Sequence, residues 1–376
     1  MLAAAYLVLC VLAALVIAAT ALPLVRRPYW WVRMFDFPRV QIAALAVGVS
    51  ALLATLAVVK GRYSGLDGVL LALLGVATFY QVARILPYTR LWRRQVVPAR
   101  EGLPRAQRLR LLVSNVRMDN RDDARWLAVV RAADADVVLA VETDAWWAER
   151  LAPLKADYPH AVEVPQDDTY GLCVYSRLPL EDVRVEHLVE PDVPSLFGAL
   201  RLPSGARVCF VFLHPRPPRP DLQQGSHLRD AELVRAARRV AEMERPVVVA
   251  GDLNDVAWSS TTRLFQRLSG LLDPRIGRGL YATFHADHAW LRYPLDHVFH
   301  SDELALGHLE RLGHVGSDHF PILIELALDD VRARGQNAPA ADADDRGRAA
   351  EAVEDARAFL ADETDEERAE RKKADV

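Results

Sequence analysis

The sequence predicts an α/β globular domain carried behind three transmembrane helices. Two observations predict this. The first hundred residues hold three long apolar runs, and from Leu109 to Leu326 short apolar runs alternate with amphipathic helices and turns. A third observation points to a site: chemically capable side chains fall at the ends of those short runs. The chain of 376 residues is too long for one small domain and suits a domain of ordinary size with added segments. A formal net charge of −4 argues against a protein that coats nucleic acid, although it leaves room for a local basic groove. The 3 cysteines, Cys10, Cys173 and Cys209, are scattered through apolar stretches, which argues against a disulfide framework or a zinc site.

The anchor occupies residues 1–100. Leu2 to Val25 is almost wholly apolar and uncharged, and long enough to cross a bilayer; similar runs span about Val40 to Val59 and Val69 to Leu86. A cleaved signal peptide would account for the first run alone but not for the two that follow. A buried soluble bundle is the weaker alternative, because the runs are apolar all round. Transport is disfavoured by the near absence of charge inside the runs. The linkers are basic and aromatic: Arg26, Arg27, Tyr29, Trp30, Trp31 and Arg33 follow the first run, and Tyr88, Arg90, Trp92, Arg93 and Arg94 follow the third. Such residues suit the headgroup layer, and an arginine-rich stretch beside a span attracts anionic lipid. The intervening loop, with Lys60 and Arg62, is less basic. The positive-inside rule therefore places the soluble domain in the cytoplasm of a multi-pass cell-membrane protein.

In the soluble domain, residues 105–328, the first expected strand is Leu109–Ser114, ending on Asn115. A helix follows from about Asp122 to Ala133, with Trp126, Leu127 and Val130 at helical spacing. Asp136–Val141 reads as a buried strand with Glu142 at its end. Tyr170–Ser176, Val183–Leu188, Leu196–Leu202 and Arg207–Leu213 read as further strands, the last followed by His214. Leu222–Glu244 has a helical pattern, Leu295–Phe299 reads as a late strand, and a polar turn, Gly316–Pro321, precedes a final strand, Ile322–Leu326.

The stretch Val247-Val248-Val249-Ala250-Gly251-Asp252-Leu253-Asn254 is the centre of the pattern. Three β-branched residues lead to a glycine that permits a sharp turn. Asp252 and Asn254, two apart on extended chain, would face the same way. A carboxylate beside a neutral amide suits a divalent cation with a phosphate next to it; the plainer reading is an Asx turn after a strand. Asn115, Glu142, His214, Asp252, Asn254, Asp318 and His319 all lie at or beside strand ends, with Asp296 inside a late strand. Strand ends are where an α/β fold gathers its site.

In these motifs the chain resembles the endonuclease/exonuclease/phosphatase superfamily, the deoxyribonuclease I-like fold. The resemblance rests on Asn115, Glu142, Phe212-Leu213-His214-Pro215, Gly251-Asp252-Leu253-Asn254, Leu295-Asp296-His297-Val298 and Ser317-Asp318-His319-Phe320-Pro321-Ile322. It covers about Leu109 to Leu326. It implies a four-layer sandwich of two mostly antiparallel β-sheets flanked by helices, Mg²⁺ or Mn²⁺ as cofactor, and cleavage of phosphoester bonds. Glu142 would be the main metal ligand, with Asn115 and Asp318 assisting. His319, held by Asp296, would act as general base, His214 would donate to a phosphate oxygen, Asn254 would do the same or orient the water, and Asp252 would position or ionise the nucleophile. Two departures stand out: Val141 where the family often has Gln, and His297 where it often has Tyr. They bear on the substrate, which is nucleic acid or a lipid headgroup. No protein partner is expected beyond the lipid bilayer itself. A non-catalytic membrane scaffold that keeps the fold is the alternative; it has no need of the Asp296/His319 pair.

Arg216 and Arg219 in the proline-rich loop after His214 are candidate phosphate contacts, with a solvated loop as the equal alternative. Trp146 and Trp147 would form a rim or pack on the sheet. His285, His288 and His297 lie near the motifs. The tail, 329–376, is charged and expected to be disordered, with helix formers from Ala349 to Arg371 sufficient for a fluctuating or peripheral helix.

Overall fold

The computed structural model describes residues 2–218 and 225–364. Helix α1, Leu2–Ala21, is followed by the short helix α2, Trp30–Arg33, and by α3, Arg39–Val59, and α4, Gly65–Ile85. The spans Leu2–Val25, Arg39–Val59 and Gly65–Tyr88 are long and apolar enough to cross a membrane, with mean hydropathy 2.8, 2.5 and 1.9. Ala13, Val16, Ala46, Val49, Leu53 and Leu74 pack between them, and most of the remaining apolar surface faces outward. Ser64 and Asp67 form a reciprocal cap at the start of α4, satisfying amides that the helix cannot.

The domain's first half runs β1, Arg108–Asn115; α5, Asp123–Ala133; β2, Val137–Val141; α6, Ala145–Leu151; β3, His160–Val164; and β4, Leu172–Ser176. The second runs β5, Leu180–Glu186; β6, Ser195–Arg201; β7, Arg207–Phe212; α7, His227–Ala241; β8, Val247–Asp252; α8, Ser260–Ser269; and β9, Asp296–His300. Strands β10, Leu304–Arg311, and β11, Ile322–Leu328, return to the first half, before the short α9, Asp330–Ala333, and α10, Ala343–Asp362.

One sheet has the order β10-β11-β1-β2-β4-β3, the other β5-β6-β7-β8-β9. Each contains a single parallel pair, β1 with β2 and β7 with β8, every other neighbour being antiparallel. The period of two along a strand builds the layers. Leu111 and Val113 of β1 face Val248 and Ala250 of β8 in the core between sheets, whereas Leu112 turns outward to Trp126 and Trp147 of the helices. Val247 and Val249 turn the other way, onto Leu233, Ala237 and Phe265 of α7 and α8. The result is the expected four-layer sandwich.

Several elements depart from the sequence reading. β3 and β10 are edge strands that it lacks. β3 is short, both are partly solvated and carry His and Glu, and β10 has a bulge between Leu306 and His308, so alternation is blurred. β5 starts earlier than Val183. The start of the expected helix at Leu222 lies outside the described residues. In the tail, the peripheral helix expected from Ala349 to Arg371 is found as α10, Ala343–Asp362, which starts earlier and packs on the domain. Ala349 and Val353 meet Val234 and Leu264, Ala356 meets Leu228, and Asp345 clasps Arg267 at 2.6 and 2.7 Å. Composition conceals this because the apolar stripe is made mostly of alanine.

The three apolar helices and their linkers are joined to the domain by buried polar contacts. Arg33, 4% exposed, lies 3.1 Å from Asp36 and 3.6 Å from Asp255, and donates to Ser260 and Thr261. It belongs to this junction and not to the headgroup layer that its sequence neighbourhood suggests. The Trp258 indole donates to the Asp36 carbonyl at 2.6 Å, and the Tyr88 hydroxyl to the Ala257 carbonyl at 2.6 Å. Farther out, the Gln41 amide of α3 donates to the Trp290 carbonyl, at the tip of a loop whose indole is 85% exposed.

Candidate active site

The two parallel strand pairs deliver the site. Asn115 is paired with Val141, so β1 and β2 end together, and Glu142 follows at φ 61 in the left-handed region. Phe212 is paired with Ala250, so His214 and Asp252 emerge side by side at the end of the other sheet. Two glycines allow the close approaches this needs. A Cβ on Gly251, at φ +148, would stand 1.8 Å from the Leu213 carbonyl oxygen, and one on Gly171 would stand 1.9 Å from that of Thr143. Asp296 opens β9 directly opposite Asp252, and His319 arrives on the turn before β11.

These side chains form one continuous network. The Asn115 amide donates to Glu142 Oε1 at 2.7 Å and to Asp252 Oδ2 at 3.1 Å. Asp252 Oδ2 lies 3.6 Å from His319 Nε2, and Asp296 Oδ2 lies 2.8 Å from His319 Nδ1. His214 Nε2 is 3.9 Å from Glu142 Oε1, while its Nδ1 lies 3.3 Å from the Asp252 carbonyl. Asn115, Asp252, Asp296, His214 and His319 are all nearly inaccessible, and Glu142 retains 20% side-chain exposure. The site thus straddles both sheets and opens at Glu142.

Its electrostatics are dominated by buried carboxylates. Burial pushes the Glu142 carboxyl above its usual range, opposed by His214 and the Asn115 bond. Burial disfavours a charged His319, but Asp296 and then Asp252 outweigh it and lift the imidazole to about 10. Asp296 fixes the ring by accepting at Nδ1, which leaves Nε2 turned toward Asp252.

Asn254 and Asp318 sit at the margin. The Asn254 amide donates to the Pro215 carbonyl at 2.9 Å, and its backbone N–H donates to Asp252 Oδ1 at 2.9 Å. Asp318 is half-buried, 3.5 Å from the Ser317 hydroxyl, and contributes to His319 through its charge. Several other candidates have structural partners. Arg216 is 3% exposed and bonds Glu190 at 2.9 Å, so the loop directs it inward and not at a phosphate. Arg219 lies outside the described residues. Trp147 packs against Trp126, and Trp146 is flanked by Arg121 and Arg150. His297 lies 2.6 Å from Arg275 and 2.8 Å from the Asp255 carbonyl; burial, and then Arg275, hold it neutral. The His285 and His288 rings lie 4.5 Å apart, tilted by 53°, on the loop beside Phe284, whose ring is 5.0 Å from His319. The sequence reading misses Arg229 and Asp255. Arg229 donates to the Asn254 carbonyl at 2.8 Å and lies 3.6 Å from Asp255, bracing the loop after Asp252. No motif marks such a brace.

A divalent cation fits this donor set. Ligand atoms of Asp252, Asp296 and His319 lie within 4.8 Å of one another, and Asp296 Oδ1 is buried without a hydrogen-bond partner among the described residues. Glu142 Oε2 accepts only a long bond, 3.4 Å, from the Met118 N–H. Hard oxygens with unused lone pairs suit Mg²⁺ or Mn²⁺.

Two β-sheets stacked face to face, with carboxylates and imidazoles meeting across their strand ends, define a phosphoester-hydrolase fold. The chain belongs to the Endonuclease/Exonuclease/phosphatase family, whose model matches residues 112–319. Among solved structures it is similar to a humanized D. rerio TDP2 carrying 14 mutations, with 17% identity and a TM-score of 0.48, over 58% of this chain and 99% of that one. It is also similar to the endonuclease/exonuclease/phosphatase from Bacteroides vulgatus, with 20% identity and a TM-score of 0.48, over 59% and 99%. The human Nocturnin catalytic domain with bound sulfate shows 14% identity and a TM-score of 0.49, over 60% and 95%. No curated protein matches the chain.

Proposed function

We propose that this protein is a membrane-anchored, divalent-metal-dependent hydrolase of phosphoester bonds. The observation that carries the reading is the unbroken chain Glu142–Asn115–Asp252–His319–Asp296. Glu142 would hold Mg²⁺ or Mn²⁺, with Asn115 setting the spacing of Glu142 from Asp252 and Asp318 adding charge nearby. When bound, the cation would polarise the phosphoryl group and offset charge on the leaving oxygen. His319 Nε2 and Asp252 Oδ2 flank the place of an attacking water; Asp296 keeps the imidazole oriented and, with Asp252, charged, so that Nε2–H donates to a phosphoryl oxygen while Asp252 Oδ2 takes the water's proton. His214 faces the Glu142 side, where it donates to a phosphoryl oxygen as charge develops. Asn254 holds the Asp252 loop in register and, at its edge, can turn its amide to the same oxygen.

The substrate class follows from placement. The ends of the three spans that meet the domain carry Arg26, Arg27, Arg33, Arg39 and Arg84, whereas the opposite loop carries only Lys60 and Arg62. The positive-inside rule then favours a cytoplasmic domain at the inner face of the cell membrane. A phosphoester presented at that face, a lipid headgroup before a nucleic acid, is the substrate we favour.

The decisive experiment measures Mg²⁺-dependent turnover of a generic phosphodiester and a phosphomonoester by the full chain, His319→Ala and Glu142→Ala. Each variant should lose about two to four powers of ten in rate; three equal rates would remove the assignment. External protease on intact cells tests the side: digestion of the domain would place it outside.

A further inference from the structure

A second polar cavity, of about 210 Å³, lies where the anchor meets the domain. Pro23 and Leu24 at the end of the first span, Tyr80 in the third, and Ser260 of α8 form part of its wall. Its charge is one-sided: Arg26, Arg39, Arg84, Arg263, Arg267 and Arg348 line it, against the single carboxylate of Asp36. That carboxylate is already engaged, by Arg39 at 2.5 Å and Arg33 at 3.1 Å. Asp345 clasps Arg267 and lies 3.6 Å from Arg348, while Arg26 comes no closer than 3.9 Å to the exposed Asp344.

Arg84 and Arg263 have no acidic partner among the described residues. Arg84 donates once, to the Trp258 carbonyl at 3.2 Å. Its Nε is buried without an acceptor, as is the Nε of Arg39. Burial, aided by Arg267 and Arg39, lowers the pKa of Arg263. Guanidinium groups gathered out of water are costly unless an anion offsets them, and the planar fork of arginine suits phosphate oxygens. Arg39 begins the second apolar helix and Arg84 lies in the last turn of α4, so a bilayer spanned by these helices would bring its headgroup phosphates to this level. The volume falls below the about 300–1,000 Å³ of small-molecule clefts. It therefore suits a phosphoryl group whose attached chains lie outside. The neighbouring cavity of about 330 Å³ makes no such demand, because Asp230, Asp344, Glu351 and Asp355 balance its arginines.

We propose that this basic cavity is an anion site for a phosphoryl group, with Arg84 and Arg263 as its principal ligands. The group would come from an anionic phospholipid headgroup at the membrane face or from free phosphate. The site is separate from Glu142 and does not depend on the hydrolase reading.

The test is thermal unfolding of the full chain in detergent micelles, titrated at constant ionic strength with phosphatidylglycerol, phosphatidylcholine or inorganic phosphate. Stabilisation by phosphatidylglycerol alone supports the site and assigns it to lipid; stabilisation by inorganic phosphate as well supports it and assigns it to the free anion. In Arg263→Gln and Arg84→Gln the half-saturating concentration should rise at least about tenfold, since each loses a charged hydrogen-bond donor. If the variants do not fold, native mass spectrometry of the unaltered chain from equimolar phosphatidylglycerol and phosphatidylcholine should show one phosphatidylglycerol retained. The proposal is overturned by no shift with either phosphate source, by a shift that persists in the variants, or by equal retention of the two lipids.

Discussion

At the scale of single residues, the domain keeps an acid in its interior away from the site. Glu232 is 1% exposed and accepts from the Ser195 hydroxyl at 3.0 Å. Burial pushes its carboxyl up to about 8, against the opposing pull of that bond and of Arg216. Because the folded value exceeds the unfolded one, the native state holds a proton that the unfolded state releases. Stability from this group is therefore complete below about pH 4.3 and falls as pH rises, until the loss is complete above about 8. Glu232→Gln, which mimics the protonated form, should raise the melting temperature at pH 8.5 and leave it unchanged near pH 4. Parallel shifts at both pH values would contradict this. Sequence reading finds Asn115, Glu142, His214, Asp252 and His319 because their chemistry is unusual at strand ends. It fails for Arg216, His297, Arg229 and Asp255, whose meaning lies in partners 22 to 42 residues away or held by another element.

Among elements, the parallel pair β7/β8 most directly shapes the site. Their close approach at Leu213 leaves no room for a side chain on Gly251. Gly251→Ala should cost several kcal/mol, on the order of 3 or more from clash and backbone strain, and displace Asp252. Melting temperature and turnover should both fall; an alanine variant with native values of each would show that the strand ends can separate without consequence. The central strands are legible because both faces are buried, giving the unbroken runs Val137–Val141 and Val247–Ala250. The edge strands β3 and β10 are not, since only one face packs and the exposed face carries charge. The docking of α10, though not its helicity, is hidden for a related reason: alanine contacts and the Arg267–Asp345 clasp hold it, and neither produces strong hydrophobic periodicity.

For the whole molecule, the N-terminal apolar helices are built into the domain and not merely joined to it. The buried series from Arg39 through Asp36, Arg33 and Asp255 to Arg229 ends at the carbonyl of Asn254, in the loop that carries Asp252. Asp230, Asp36 and Asp255 outweigh burial and raise the pKa of Arg33, so the guanidinium stays charged. Removing one partner of a buried ion pair costs about 3–5 kcal/mol. Arg33→Ala should therefore lower the melting temperature, expose the 26–38 linker to limited proteolysis and reduce turnover. A variant cut no faster and equally active would show the junction to be passive. The loop from Phe284 to Tyr293 adds a second link, since it starts beside His319 and reaches the second span at Gln41 through Trp290. On the proposed reading of a membrane-seated hydrolase of a lipid phosphoester, the enzyme would count its substrate per unit of surface. Its velocity would follow the mole fraction of substrate in a vesicle and stay constant when vesicles of fixed composition are diluted together with the embedded enzyme.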